Sequence, residues 1–388
     1  MTDHLLEQLN KIASTPMREA FALPPEIYTS PGIKALEDGQ IFARDWTCPG
    51  LAAQVPNPGD YLTWSIGEQP VFSIRNRDGE IKTFANVCRH RMMQLLTGQG
   101  NCRRVVCPYH AWTYDLDGQL IGAPFMDRTS GFDKSKISLP EIRTEVWQGW
   151  IYVTLNEDAK PVADLLAGLA DVTGRFRVPG YVLAILEDHV WQTNWKLLVE
   201  NFMEGYHLPV AHKNTVGAWM PVDSVDFPES SDLAFAYQTF TKDEDATYGR
   251  AHPDNDFLEG HWRYTTVMPT VFPTHMYVLA PDHLWYLSLR PKGIGEVHVR
   301  FGVALAPEAE AALTGKEKEK FLTDLNEFFR HVNEEDRFVV EGIYAGAKAP
   351  LTEAGPLSWL ERELHDFAKY LASRLTDTGS ARVGKAAE

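Results

Sequence analysis

Two short segments each combine one cysteine with one histidine, and this pairing constrains the fold more than any other feature of the sequence. The first is Cys88-x-His90 and the second is Cys107-x-x-His110. Structural zinc sites usually take their cysteines and histidines from separate pairs. A two-iron cluster with two thiolates on one iron and two imidazoles on the other is built from mixed pairs. The spacing therefore predicts a 2Fe–2S cluster clamped between two loops, with a zinc site as the alternative.

The sequence around these pairs is typical of a small all-β domain. Between residues 42 and 155, short apolar runs alternate with Gly, Pro and Asp, and "RDGE" and "LDGQ" carry the Asp-Gly pairs that mark tight hairpins. Residues 1–41 are expected to form an N-terminal arm. Residues 156–388 interleave strand-like runs such as "LWYLSLRP" with helical patterns such as "KEKFLTDLNEFFRHVNEED". An α+β chain with a small β domain and a larger mixed domain is expected.

A second histidine pair lies in "NWKLLVENFMEGYHLPVAH", residues 194–212. Asn201, Glu204 and His207 are three residues apart, so on a continuous helix they would share one face. Pro209 would distort the next turn and bring His212 round to His207. Two imidazoles and one carboxylate make the facial triad of a non-heme Fe(II) oxygenase, which leaves positions open for dioxygen and substrate.

The third ligand of such a triad must come from another part of the chain. The segment "NEEDRFVVEG" is the best candidate, with Asp336 late in a predicted helix. Two histidines five apart are, taken alone, more often ordinary polar residues, but the cluster predicted upstream favours the metal interpretation. Glu204 is expected to accept a hydrogen bond from a metal-bound histidine, the alternative being a solvated helix charge.

The segment "CRHR…CPYHAWTYDLDG" resembles the two cluster-binding loops of the Rieske family. That family commonly has glycine after "CRHR" and after "CPYH", where this chain has Met92 and Ala111, so the local backbone is expected to differ slightly. Respiratory Rieske proteins usually add a disulfide between the loops. Here only Cys102 lies nearby, which disfavours a respiratory role.

Over most of its length the chain is similar to the oxygenase component (α subunit) of Rieske non-heme iron oxygenases. The resemblance implies a helix-grip (START-like) catalytic domain and iron ligands at His207, His212 and Asp336, with Glu335 as the adjacent rival. Glu204 occupies the position of an acid that links a cluster histidine of one subunit to an iron-ligand histidine of its neighbour. The implied contact is His110 across a subunit boundary in a homotrimer. Asn201 is a further candidate catalytic residue.

Composition limits the partners. The 388 residues carry a net charge of −16, which argues against nucleic acid and anionic membranes. No apolar run approaches a membrane span or a signal core, and four cysteines are too few for a disulfide framework, so the cytoplasm is expected. There is no Gly-rich dinucleotide fingerprint. NAD(P)H is therefore expected to bind a separate reductase, with a ferredoxin as an optional further carrier, and dioxygen is the co-substrate.

The substrate follows only from the resemblance. Family members with a glutamate bridge include enzymes that hydroxylate or demethylate small quaternary amines such as choline, carnitine and betaines. Such a cation needs an aromatic cage; candidates are Trp262, Tyr264, Tyr277, Trp285 and Tyr286, each of which could equally be sheet core. Ring hydroxylation of an aromatic acid is the runner-up activity. An electron carrier with the cluster alone and a zinc-stabilised binding module are the other classes.

Overall fold

The chain divides into two compact units, one formed by Phe42–Val162 and the other by Met1–Ile41 together with Ala163–Glu388. Within the part of the chain that the structure describes, no helix is both long enough and apolar enough to cross a bilayer. The computed structural model describes residues 2–218, 220, 222–228, 233–246 and 248–376.

The Phe42–Val162 unit is all-β. The larger sheet of this unit has seven strands in the order β1-β10-β9-β4-β3-β2-β5. A small three-stranded sheet has the order β6-β7-β8. The Asp-Gly pairs of the sequence form the β3–β4 and β7–β8 turns, where Gly79 and Gly118 have φ of 86° and 80°. The strands are Thr47–Leu51 (β1), Asp60–Ile66 (β2), Gln69–Arg75 (β3), Ile81–Ala85 (β4), Gln99–Asn101 (β5), Val105–Val106 (β6), Thr113–Tyr114 (β7), Leu120–Gly122 (β8), Glu141–Trp147 (β9) and Trp150–Thr154 (β10).

This unit runs to Val162, seven residues beyond the boundary drawn at residue 155. The extra segment is held by hydrogen bonds to the sheet. Arg143 Nη1 donates to the carbonyl of Glu157 at 2.9 Å, and the backbone N–H of Val162 donates to Glu145 Oε2 at 2.7 Å. Polar anchors of this kind follow from the tertiary fold, which explains why composition alone places the boundary earlier.

The second unit is built around another seven-stranded antiparallel sheet, with the order β11-β17-β16-β15-β14-β13-β12. Helix α6 packs against α9 and against β14 and β16, so the sheet grips a helical layer. The expected α+β architecture is confirmed. The strands are Val182–Trp191 (β11), Val225–Asp226 (β12), Phe235–Thr241 (β13), Thr265–Val271 (β14), His275–Leu279 (β15), His283–Lys292 (β16) and Glu296–Leu305 (β17), and the helices are Thr2–Ser14 (α1), Pro25–Thr29 (α2), Pro31–Leu36 (α3), Val162–Leu165 (α4), Ala167–Thr173 (α5), Trp195–Met203 (α6), Leu208–Ala211 (α7), Pro307–Ala311 (α8), Gly315–Ala347 (α9) and Arg362–Leu375 (α10).

The N-terminal residues belong to this second unit. Helix α1 packs on α10, and Glu37 forms a fully buried ion pair with Lys196 of α6. Trp195 Nε1 also donates to Glu37 Oε2 at 3.0 Å. Removing one partner of a buried ion pair costs about 3–5 kcal/mol, because the other charge is left unpaired. Residues 1–41 therefore fix the helix that leads into the second histidine pair.

The segment with that histidine pair is not one continuous helix. Asn194 caps α6 as its sequence predicts, accepting a hydrogen bond from the N–H of Lys196 at 3.1 Å. The helix ends at Met203, and Glu204 is extended with φ −127° and ψ 148°. Chain continuation as a helix would place Pro209 in its interior, where proline lacks the N–H and clashes with the preceding turn. The predicted shared face of Asn201, Glu204 and His207 is therefore wrong, and a short α7 starts with Pro209 in its first turn.

Candidate active site and metal centres

The two loops that carry the mixed pairs have the same backbone hydrogen-bond pattern. In each, the cysteine N–H donates to the carbonyl five residues on, and the N–H four residues on donates to the cysteine carbonyl, at 2.8–3.1 Å. Closing this turn requires a left-handed residue at the fourth position. Met92 and Ala111 occupy it with φ of 58° and 55°. The sequence predicted a slightly different local backbone, because glycine is absent at these two positions. The φ angles of both residues nevertheless lie in the region that glycine favours. Met92 and Ala111 therefore adopt this conformation under strain.

The four predicted cluster ligands lie on these two loops, and the two histidine rings are in contact. Cys88 and Cys107 are buried, whereas His90 and His110 are exposed, with their ring centroids 4.7 Å apart. Trp112 stacks on His90 at 4.8 Å with the ring planes 9° apart. The cysteine side of the site faces the core, and the histidine side faces outward.

The donor set fits a cluster better than a single ion. A tetrahedral zinc ion would need four donor atoms about 3–4 Å from one another, as its bond lengths of about 2.0–2.3 Å require. Among the described residues, only a different group, His207, His212 and Asp336, brings three such donors within 4.8 Å. The wider spacing of two buried thiols and two exposed imidazoles suits a two-iron cluster with cysteines on one iron and histidines on the other.

Tyr114 is a contact of this site that the sequence did not single out. Its hydroxyl oxygen lies 3.3 Å from Cys88 Sγ and accepts a bond from the N–H of Arg89 at 3.1 Å. Burial raises the pKa of Tyr114, and the hydrogen bond to Cys88 raises it further, so the hydroxyl keeps a proton that it can donate to a cluster-bound sulfur. Hydrogen bonds to cluster sulfurs tune the reduction potential. The available signal for it was its position two residues after Trp112, at the end of β7.

The second site brings together residues from two distant parts of the chain. His207 and His212 flank the short α7, and Asp336 lies on α9. Asp336 Oδ1 is 2.9 Å from His212 Nε2 and 3.7 Å from His207 Nε2. These separations suit ligand atoms about 2 Å from one shared ion, and two imidazoles with one carboxylate are the donor set of non-heme Fe(II) sites. The chemistry and the spacing of these residues therefore fit a mononuclear iron.

Each histidine is oriented by a second carboxylate on its other ring nitrogen. His207 Nδ1 donates to Glu204 Oε1 at 2.5 Å, and His212 Nδ1 donates to Glu335 Oε2 at 2.7 Å. Thr215 Oγ1 also donates to Glu335 Oε2, at 2.6 Å. Such contacts fix the tautomer and turn Nε2 toward the metal position. Glu335 thus lies on the far side of His212 from the shared position that Asp336 faces.

Asn201 and Glu204 contact the same group. Asn201 Nδ2 donates to Asp336 Oδ1 at 2.7 Å, which holds that carboxylate toward the histidines. Glu204 Oε2 accepts hydrogen bonds from the backbone N–H groups of Tyr206 and His207. The side chain of Glu204 is only 12% exposed. Its carboxylate is therefore committed to the His207 turn and is not a solvated charge.

The charge environment keeps His212 protonated when no metal is bound. Burial of the ring lowers its pKa, but the hydrogen bonds and negative charges of Asp336 and Glu335 outweigh this and raise the pKa to about 9. A metal that binds Nε2 must displace this proton.

A pocket opens directly onto this group. It lies between one face of the sheet and helices α6 and α9, and a largely apolar cleft with a few convergent polar groups is the usual form of a small-molecule site. Residues alternate along the strands, so Trp285 and Leu287 face the pocket while Tyr286 lies on the other face. The aromatic rings that line it are Phe202, Phe240, Tyr248 and Trp285.

Of the five aromatic residues that the sequence offered as a cage, only Trp285 lines the pocket. Tyr277 and Tyr286 are fully buried in the sheet, and Trp262 packs under the guanidinium of Arg175 at 3.7 Å. The rings missed were Phe202, one residue after Asn201, and Phe240 and Tyr248 near the end of β13. The period of two along β13 was the available signal for Phe240.

A wider cleft lies on the other side of Glu204. Asn201, Glu204 and His207 line both the aromatic pocket and this cleft, so they form the wall between the two. The cleft also contains Glu200, whose burial raises its pKa to about 8, and which accepts a hydrogen bond from the Tyr28 hydroxyl at 2.8 Å. Glu204 is therefore reachable from the side opposite the pocket.

The fold and the two sites together define a class of protein. One domain is all-β and carries the mixed Cys/His pairs, and the other is a helix-grip domain with a His-His-carboxylate group at the end of a pocket. Comparisons with known proteins agree. Residues 38–140 match the Rieske 2Fe–2S domain, and residues 168–377 match the catalytic domain of the ring hydroxylating alpha subunit. The chain belongs to the family of Rieske non-heme iron oxygenases, as the resemblance of its motifs implied.

Individual relatives share part of the chain. The glycine betaine monooxygenase oxygenase subunit of Chromohalobacter salexigens is 35% identical over 211 residues, 54% of this chain and 47% of the relative. The carnitine monooxygenase oxygenase subunit of Acinetobacter baumannii is 35% identical over 196 residues, 50% of this chain and 53% of the relative. The chain thus spans about half the length of these curated relatives.

A solved structure is similar over almost the whole chain. The quaternary ammonium Rieske monooxygenase CntA, in complex with its substrate γ-butyrobetaine, has a TM-score of 0.77 at 25% identity, and the match covers 94% of this chain and 97% of that one. Both units therefore have counterparts in a structure of the same family.

Proposed function

We propose that this chain is the terminal oxygenase of a multicomponent system that hydroxylates or oxidatively demethylates a small quaternary-ammonium compound. The observation that carries the proposal is the placement of His207, His212 and Asp336 at the end of a pocket walled by aromatic rings. Aromatic faces bind quaternary ammonium groups through cation–π attraction. The betaine and carnitine activities in the names of the relatives support the same substrate class.

The residues have separate roles in this proposal. Cys88, Cys107, His90 and His110 hold a 2Fe–2S cluster, and His207, His212 and Asp336 hold one iron. When bound, the cluster supplies single electrons and the mononuclear iron activates dioxygen. Electrons are expected to come from NAD(P)H through a separate reductase, with or without a ferredoxin. The aromatic rings orient the substrate and exclude water.

Glu204 links neighbouring protomers in this proposal. Its carboxylate already accepts a bond from His207 and lines the cleft opposite the pocket. His110 is exposed and carries a free ring edge once its other nitrogen binds the cluster. In a homotrimer, His110 of a neighbouring protomer donates to Glu204, and one carboxylate then joins the ligands of both sites. None of the four cysteines forms a disulfide, and we propose that the chain works in a reducing compartment, the cytoplasm.

Turnover with a surrogate reductase tests the function. Dioxygen uptake and product are measured together for glycine betaine, γ-butyrobetaine, L-carnitine, choline and benzoate, alongside the iron content per chain. Coupled turnover of a quaternary amine, with three irons per chain, is expected. Coupled turnover of benzoate alone would point to ring hydroxylation, and two irons per chain with no turnover would point to an electron carrier.

The pocket provides a matched pair of variants. Trp285→Leu removes a cation-binding face, so KM for the quaternary amine should rise, whereas Trp285→Phe keeps a face and should change it less. Equal effects of the two variants would contradict an aromatic cage at this position.

A further inference from the structure

A lysine lies in the pocket at the end remote from the metal-binding group. Every second residue near the end of β13 faces the pocket. These residues are Gln238 and Phe240 in the strand and Lys242 directly after it. Gln238 Nε2 donates to the carbonyl of Met203, the residue before Glu204, at 3.3 Å. Four residues of an antiparallel strand span about 13 Å. Gln238 therefore marks the metal end, and Lys242 marks the opposite end.

Among the described residues, the ammonium of Lys242 has polar and aromatic neighbours but no ion-pair partner. Nζ lies 3.3 Å from Thr266 Oγ1 and 4.9 Å from the centroid of the Tyr248 ring. Among the residues that the structure describes, none holds a carboxylate within 4.0 Å of it. Gly249 lies beside the ammonium, since a Cβ there would meet Nζ, and its φ of 65° is one that glycine favours.

The nearest acid is already engaged. Asp282 accepts a hydrogen bond from His283 Nδ1 at 2.7 Å and from the N–H of Gly249 at 3.1 Å. Tyr248 in turn donates its hydroxyl proton to His283 Nε2 at 3.1 Å. This Asp282–His283–Tyr248 chain fixes the wall beside Lys242. Burial lowers the pKa of Lys242, and the charge of Asp282 only partly opposes this, as expected for a cation that lacks a partner at contact distance.

We infer that Lys242 binds a carboxylate of the substrate, which makes the substrate a quaternary-ammonium carboxylate and not a choline-type alcohol. Phe202 and Trp285 pack at 5.6 Å near the metal end and suit the ammonium group. Lys242 and Tyr248 lie at the other end and suit the carboxylate. A buried charge is stable when it is paired, so a zwitterion of matching length satisfies both ends of the pocket.

The inference rests on the proposed function, and it is tested with two variants at one position. Lys242→Met removes the charge at similar length, and Lys242→Arg keeps it. Binding of γ-butyrobetaine and choline is measured by calorimetry on the iron-loaded protein, together with kcat and KM. The cluster absorption and iron content serve as controls for folding.

The wild type should bind γ-butyrobetaine more tightly than choline. Lys242→Met should weaken γ-butyrobetaine binding by about 10- to 100-fold, the loss typical of a hydrogen bond to a charged group, and leave choline binding unchanged. Lys242→Arg should lose much less. Equal affinities of the wild type for both compounds, or an equal loss of both in Lys242→Met, would overturn the role of Lys242.

Measurements with benzoate distinguish a failure of the role inferred for Lys242 from a failure of the proposed function. If the wild type turns over benzoate and no quaternary amine, the proposed function is wrong. A loss of benzoate binding in Lys242→Met would then still support a carboxylate site at Lys242, and unchanged benzoate binding would overturn it.

Discussion

His207 Nδ1 lies 2.5 Å from Glu204 Oε1, and this contact makes a residue outside the metal-binding group part of its geometry. The imidazole donates its proton outward, so its other nitrogen is free to bind metal. Glu335 does the same for His212. Two carboxylates thus lie behind the histidines, and a third, Asp336, lies between them.

The charge of Glu204 should matter for turnover and not for metal content. Glu204→Gln keeps an oxygen that can accept the backbone N–H bonds but removes the negative charge. We expect turnover to fall at least about 10- to 100-fold, with three irons per chain retained. Iron analysis and coupled turnover measure both. Full activity with full metal content would refute the link through Glu204.

Asp336 and the adjacent Glu335 should differ in their effect on iron binding. Asp336→Ala removes a carboxylate from the shared position, and we expect the mononuclear iron to be lost while the cluster absorption remains. Glu335→Gln should weaken iron binding by about 10- to 100-fold, because it only loosens His212. Iron titrations of the two variants compare them. Retention of iron by Asp336→Ala together with its loss in Glu335→Gln would reverse the assignment.

Iron binding should depend on pH in a predictable direction. The pKa of His212 is raised to about 9 without metal, so the ring is protonated below that value and neutral above it. Iron needs the neutral ring, and binding therefore releases a proton. Affinity should fall about tenfold for each pH unit from 8.5 to 7. Fe(II) titrations on the cluster-loaded protein test this, and an affinity independent of pH would contradict it.

The left-handed residue in the second cluster loop should be a site of stored strain. Ala111→Gly should raise the stability of its unit by up to about 1 kcal/mol, since an L-residue at positive φ costs about 1–2 kcal/mol and the freedom of glycine in the unfolded chain offsets part of this. Thermal loss of the cluster absorption is the measurement. Ala159→Gly, in the same unit and outside the positive-φ positions, is the control and should lower stability. A lower midpoint for Ala111→Gly would exclude strain there.

Local spacing was enough to single out the candidate metal ligands, because metal chemistry demands particular residue types. The Cys/His pairs and the 207/212 histidines are close in sequence, and so the pattern exposes them. The path of the chain between them was not predictable in the same way. A run of three-residue spacings predicted a helix through Glu204, but α6 ends at Met203 and Glu204 is extended.

Contacts that join distant segments were missed for a physical reason. Lys242, Tyr248 and His283 meet because β13 and the β15–β16 turn lie at the same end of the sheet, and no local pattern encodes that meeting.

Mixed assemblies test most directly whether the two iron sites cooperate between protomers. Protomers with Cys107→Ser, which lack the cluster, are co-expressed with protomers carrying His212→Ala, which lack the mononuclear site, and the mixed species is purified through two different tags. Each parent should be inactive, and the mixed assembly should regain coupled turnover. Adding Glu204→Gln to the Cys107→Ser protomer should abolish this activity, whereas adding it to the His212→Ala protomer should not. An inactive mixed assembly, or one equally sensitive to Glu204→Gln in either protomer, would contradict the account.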